Sequence, residues 1–159
     1  MTSPNRRSFL FGRFSRQKSP QRPPWALAED RFLDACTRCG DCVKVCPTHI
    51  INDREDGYPV VDFAEGECTF CGECARVCKS GALVGGEERT PWAIRAVIGD
   101  LCLAQQGIEC RVCGEQCGEN AIRFPLQAGR ASVPEIDASR CTGCGACFGT
   151  CPSRTISLG

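Results

Sequence analysis

The sequence predicts a small α+β protein built as two tandem copies of one pseudo-twofold module behind a basic N-terminal arm. Three observations carry that prediction. Sixteen of the 159 residues are cysteine, and twelve of them form three copies of the spacing C-x2-C-x2-C-x3-C: Cys36-Cys39-Cys42-Cys46, Cys68-Cys71-Cys74-Cys78 and Cys141-Cys144-Cys147-Cys151. The stretches after these motifs also resemble one another, which marks an internal duplication. Large apolar residues are few, so a module of this size buries too little to be secure without a further source of folding free energy.

A cysteine content this high signals disulfides or metal. Disulfides between cysteines two residues apart would close tiny, strained loops. Tetrahedral zinc needs two separated C-x2-C pairs and has no use for the extra thiolate of a triple C-x2-C-x2-C. Three thiolates on one tight loop do reach three corners of a cube, with the fourth pointing elsewhere. That is how bacterial-type ferredoxins hold [4Fe–4S] clusters, the fourth cysteine of each motif serving the neighbouring cluster. The predicted modules are therefore bacterial ferredoxin-like 2[4Fe–4S] units, whose metal-free chain should be unfolded or molten. The cross-ligation rule assigns Cys36, Cys39, Cys42 and Cys78 to one cluster and Cys68, Cys71, Cys74 and Cys46 to the second. A third takes Cys141, Cys144 and Cys147, with Cys117 as the remote ligand.

In chain order, residues 1–30 form the arm. It holds Arg6, Arg7, Arg13, Arg16, Lys18 and Arg22 and no acid before Glu29. Asn5-Arg6-Arg7-Ser8-Phe9-Leu10 resembles a twin-arginine signal, but Ser-Arg-Gln-Lys-Ser follows Phe14 where an apolar run is needed. This predicts a partly disordered arm, with Trp25 tucked onto the body, rather than an export signal. The first module spans 31–86. Ile50-Ile51-Asn52 and Tyr58-Pro59-Val60-Val61-Asp62 read as strands around the turn Glu55-Asp56-Gly57, and Ala82-Leu83-Val84 closes the unit. The second module spans 87–159. Thr90-Pro91 followed by Ile94, Val97, Ile98 and Leu101 reads as a helix over 90–104 with one buried face. Ile122-Arg123-Phe124 and Ala131–Ile136 form a hairpin leading to the third full motif.

Four cysteines lie outside the three motifs. Cys110, Cys113 and Cys117 match the last three members of a motif, with Gly107 standing where its first cysteine belongs and Cys102 five residues earlier. A fourth [4Fe–4S] site would comprise Cys102, Cys110, Cys113 and Cys151. The alternative is that Cys102 packs as a small buried hydrophobe and leaves a three-cysteine or empty site. His49, the single histidine, is expected to be an ordinary loop residue. Phe70, Phe148 and Tyr58 are expected to pack against clusters, and Lys79 to raise a nearby potential slightly.

The 19 basic and 19 acidic side chains balance, and no basic-aromatic patch marks the body, which argues against nucleic acid as partner. No apolar run is long enough to span a bilayer. Oxygen-sensitive thiolate sites fit a reducing, cytoplasmic setting. No nucleotide loop, flavin fingerprint or nucleophile–base pair suggests catalysis.

Nearly end to end, the chain resembles the NapF family, the ferredoxin-type accessory proteins of periplasmic nitrate reductase systems. The resemblance rests on Arg22-Pro23-Pro24-Trp25, Cys36-Thr37-Arg38-Cys39 and Cys68-Thr69-Phe70-Cys71. It continues through Ile98-Gly99-Asp100-Leu101-Cys102-Leu103-Ala104, Cys110-Arg111-Val112-Cys113 and Cys141-Thr142-Gly143-Cys144-Gly145-Ala146-Cys147. The Cys102 element is its specific part. The resemblance implies a cytoplasmic protein that contacts the molybdenum-containing catalytic subunit before export and aids its iron–sulfur loading or activation. A general low-potential electron carrier is the alternative.

Overall fold

The computed structural model describes residues 20–86 and 90–159; the arginine-rich run expected in the arm lies outside them. Elements are short, because each motif allows one turn of helix before its fourth cysteine. In the first module, α1 (Glu29–Ala35) carries Glu29 and Asp30 in its first turn, where negative charge suits the helix dipole, and buries Phe32. Next come α2 (Asp41–Val45), β1 (Ile51–Asp53), β2 (Pro59–Val61) and α3 (Glu73–Arg76). β1 and β2 pair antiparallel with Ile51 opposite Val61. The expected turn joins them, with Gly57 N–H donating to Arg54 O and Tyr58 N–H to the Asp56 carboxylate. Residues 25–27 pair with 82–84: Leu27 N–H donates to Ala82 O, and Val84 N–H to Trp25 O.

The second module contains β3 (Ala96–Ile98), α4 (Val112–Glu115), β4 (Ile122–Arg123), β5 (Glu135–Ile136), α5 (Ala146–Gly149) and β6 (Ile156–Leu158). β4 and β5 form the expected hairpin. The helix expected over 90–104 is absent. Ala96–Ile98 is a strand paired antiparallel with β6, and residues 99–107 are mostly turns. Two facts explain the correction. Val97 and Leu101, members of the supposed buried face, are 53% and 66% exposed, whereas Ala96 is buried. The closing strand β6 also needs a pairing partner, just as Leu83 has Ala26 in the first module. Arg95 and Gly159 complete the ladder by exchanging both backbone hydrogen bonds.

The first core centres on Phe32, Ile50, Ile51, Phe63, Ala82 and Leu83; the second, smaller one holds Ala96, Ile122, Cys147 and Ile156. Arg22 is buried at the first. Its guanidinium forks onto Glu29 at 2.7–3.3 Å, donates through Nη1 to Pro59 O, and sits over the Phe32 and Tyr58 rings. That arrangement fastens the end of the arm to the body.

The two modules meet along a seam. Phe63 lies edge-on to Trp92 at 5.7 Å and near Phe148 at 6.4 Å, while Trp92 Nε1 donates to Thr142 O. Gly145 makes the seam: its φ of 92° favours glycine, and a Cβ there would fall 2.0 Å from the Phe63 ring. Beside it, Cys68 N–H donates to Cys144 O at 2.8 Å.

Candidate iron–sulfur sites

Each full motif wraps through two left-handed residues, one just before its second cysteine and one just after. They are Arg38 and Gly40, Phe70 and Gly72, and Gly143 and Gly145. This winding curls each loop around a hollow. The Cys110–Cys117 segment lacks it: α4 starts at Arg111 with φ −130° where the other motif helices start at a left-handed glycine.

Three cavities of nearly equal size result, each walled by three cysteines of one motif and the last cysteine of another. The first is ringed by Cys36, Cys39, Cys42 and Cys78 and walled by Phe32, Pro59, Ala82 and Leu83. The second is ringed by Cys68, Cys71, Cys74 and Cys46, against Pro24, Trp25, Ile50 and Ile51. The third is ringed by Cys117, Cys141, Cys144 and Cys147, against Ala96, Ile122 and Leu158. Among the described residues, no three cysteine, histidine or carboxylate side chains converge tightly enough for a single ion. The thiols ring a space, which suits a multi-atom guest.

Burial, reinforced by neighbouring thiols, pushes up the innermost cysteines, and the neighbours identify each group. Cys42 rises to about 11 beside Cys36, Cys39 and Cys78; Cys74 rises to about 12 beside Cys68, Cys42 and Cys71. Cys147 rises to about 12 beside Cys144, Cys141, Cys113 and Cys117. Cys113 rises to about 11, again mainly by burial, and its thiol neighbours are Cys102, Cys110 and Cys151. Those four residues lie on three separate segments. Cys102 is buried on the turn run after β3, with its N–H bonded to Gly99 O.

The last cysteines behave differently. Burial works against them, yet hydrogen bonds from the Thr48, Ser80 and Ser153 hydroxyls and from nearby N–H groups hold Cys46, Cys78 and Cys151 below the usual thiol range. N–H groups of Phe70, Leu83 and Ala121 donate to the sulfurs of Cys68, Cys78 and Cys117 at 3.3–3.4 Å.

The four groups stand in series. Cys42 and Cys74 link the first pair, Cys68 and Cys144 bridge the seam, and Cys113 and Cys147 link the second pair. The seam is the feature that sequence reasoning missed, because motif spacing says nothing about contacts between modules. His49 is exposed and lines none of the three cavities. Phe148 and Phe70 pack at the seam, Phe70 edge-on to Trp92; Tyr58 donates to Leu33 O.

Fold and cavities together define an iron–sulfur protein of the ferredoxin type. Models of a 4Fe-4S dicluster domain match residues 35–83 and 108–155. The chain is 43% identical to the ferredoxin-type protein NapF of Haemophilus influenzae, the match covering 96% of this chain and 92% of that one. It is 38% identical to the NapF of Escherichia coli K12, covering 96% and 93%. A more distant relative is the methylamine utilization ferredoxin-type protein MauM of Methylophilus methylotrophus, at 32% identity over 91% of this chain and 72% of the other. The chain belongs to the NapF family of ferredoxin-type proteins. No helix among its described residues is long and apolar enough to cross a membrane.

Proposed function

We propose that this protein is a cytoplasmic iron–sulfur accessory factor. It would bind the catalytic molybdenum subunit of a periplasmic nitrate reductase before export and aid its iron–sulfur loading or activation. The carrying observation is the set of cavities in which each triplet of cysteines is completed by a cysteine from another motif. Close similarity to the NapF relatives along nearly the whole chain supports the choice of partner.

The sites would be four. Cys36, Cys39, Cys42 and Cys78 would hold the first [4Fe–4S] group, Cys68, Cys71, Cys74 and Cys46 the second, and Cys141, Cys144, Cys147 and Cys117 the third. The fourth would be held by Cys102, Cys110, Cys113 and Cys151, whose mutual proximity favours ligation by Cys102 over its packing as a mere hydrophobe. When bound, such groups supply reversible one-electron chemistry. The chain's own residues supply the rest. Apolar walls such as Phe32, Ile50 and Ile122 exclude water, and N–H and hydroxyl donors at the sulfurs favour thiolate. Each module is a pseudo-twofold pair of half-sites. The units are the basic arm over 1–30, the first module over 31–86 and the second over 87–159, with residues 25–27 adding edge pairing to the first.

The serial arrangement across the seam also favours a second reading, a general low-potential electron carrier. Iron-labelled holo protein mixed anaerobically with cluster-free reductase subunit separates the two. The accessory reading expects complex formation and transfer of label or electrons to the subunit, and truncation of residues 1–24 should weaken the complex. Failure to bind the subunit, with rapid reduction and reoxidation by unrelated redox partners, would favour the carrier.

A further inference from the structure

Three of the four last cysteines share a local device. Cys46, Cys78 and Cys151 each have a hydroxyl two residues on, at Thr48, Ser80 and Ser153, with the oxygen 3.6 Å from the sulfur. Cys117 is followed by Gly118-Glu119, and Glu119 lines the cavity that Cys117 shares with Cys141, Cys144 and Cys147. The backbone half of the device persists: Ala121 N–H donates to Cys117 Sγ at 3.3 Å, as Leu83 N–H does to Cys78 Sγ at 3.4 Å. At the position two residues on, a carboxylate thus replaces a hydroxyl, behind Gly118 where the other three have Pro47, Lys79 and Pro152.

The carboxylates that line the other two cavities are ion-paired, and so is one beside the Cys102 group. Asp41 at the first site pairs with Lys44, Glu73 at the second with Arg76, and Glu109 beside Cys110 with Arg111. Glu119 has no such partner among the described residues. Its negative charge and the lost hydroxyl–sulfur bond act in the same direction. Each makes a further electron at the site less favourable, because hydrogen bonds to sulfur and local charge set such potentials.

We propose that Glu119 makes the Cys117–Cys141–Cys144–Cys147 site the lowest in reduction potential of the four. This rests on the iron–sulfur reading above. The site lies between the seam, where Cys68 meets Cys144, and the Cys102 group, where Cys113 neighbours Cys147. Glu119 thus governs how readily the two ends of the series exchange electrons.

The test is a redox titration of the full chain, purified anaerobically, with dithionite as the electron donor, mediator dyes and electron paramagnetic resonance as readout. Each component takes up one electron. Glu119→Ser is expected to move the lowest component upward and leave the others in place, with Glu119→Gln moving it part of the way. The reciprocal Ser80→Glu should move a different component downward. A Glu119→Ser protein with its full iron content and an unchanged lowest component, or a shift in a higher component instead, overturns the inference. If Glu119→Ser does not load, Ser80→Glu decides, and no downward shift there overturns it as well. A wild-type chain without iron would show no components at all and would sink the proposed function itself.

Discussion

The two modules are built alike downstream of their cysteine loops and differently upstream of them. In the first, the lead-in residues 25–27 pair with 82–84, and the first cysteine of the group follows on the motif itself, at Cys36. In the second, β3 performs the pairing, and the turn run after it carries Cys102, eight residues before Cys110. The first module closes its hollow with a tightly wound loop and a large core that includes Phe32, Ile50 and Phe63. The second has a smaller core, and one of its thiol groups includes Cys102, a cysteine outside any motif. The lead-in segment is thus the adjustable part of this architecture. In both modules it supplies an edge strand, and in the second it also brings a cysteine up to a thiol group.

Removing iron should have the largest effect on this contrast. Oxidative chelation is expected to abolish cooperative unfolding altogether, with the second module losing amide protection first because its core is smaller; hydrogen exchange would read this module by module. Next, Cys102→Ala should cost the second module one site, about four iron atoms per chain, while the first module keeps its spectroscopic signals. Unchanged iron would assign Cys102 to packing alone. Phe63→Ala removes a buried ring from the seam and should cost about 3–5 kcal/mol in denaturant unfolding of the loaded protein. It should also weaken magnetic interaction between the Cys68 and Cys144 sites. The smallest effect is expected at the arm. Arg22→Lys keeps the charge but loses the fork onto Glu29 and the stacking on Phe32 and Tyr58, for about 2 kcal/mol confined to the first module.

Much of the candidate site was legible because ligand spacing is a local property. The partition of Cys36, Cys39 and Cys42 with Cys78 follows from loop geometry and duplication, and the cavities are lined accordingly. The hairpins at residues 51–61 and 122–136 were legible from short apolar, β-branched runs, the first of them around the turn Glu55-Asp56-Gly57. Residues 94–101 misled for a physical reason. Ile94, Val97, Ile98 and Leu101 fit a helical period, but Ile94, Ala96 and Ile98 also fit a period of two, and demand from β6 for a partner decided between them. That demand arises sixty residues away, at 156–158, so no local pattern announces it. The seam was illegible for the same reason: Gly145 reads as another loop glycine until Phe63 is found against it. Buried Arg22 likewise read as one more charge of a basic arm, since its partners Glu29, Phe32 and Tyr58 converge only in the fold.

Iron, acid-labile sulfide and zinc determined together on anaerobically purified chain test the central claim most directly. Three thiol-ringed cavities and the Cys102 group beside them predict about sixteen iron and sixteen sulfide per chain and negligible zinc. A folded chain carrying zinc without sulfide would contradict the whole reading of the cavities, and about twelve iron would contradict the fourth site alone.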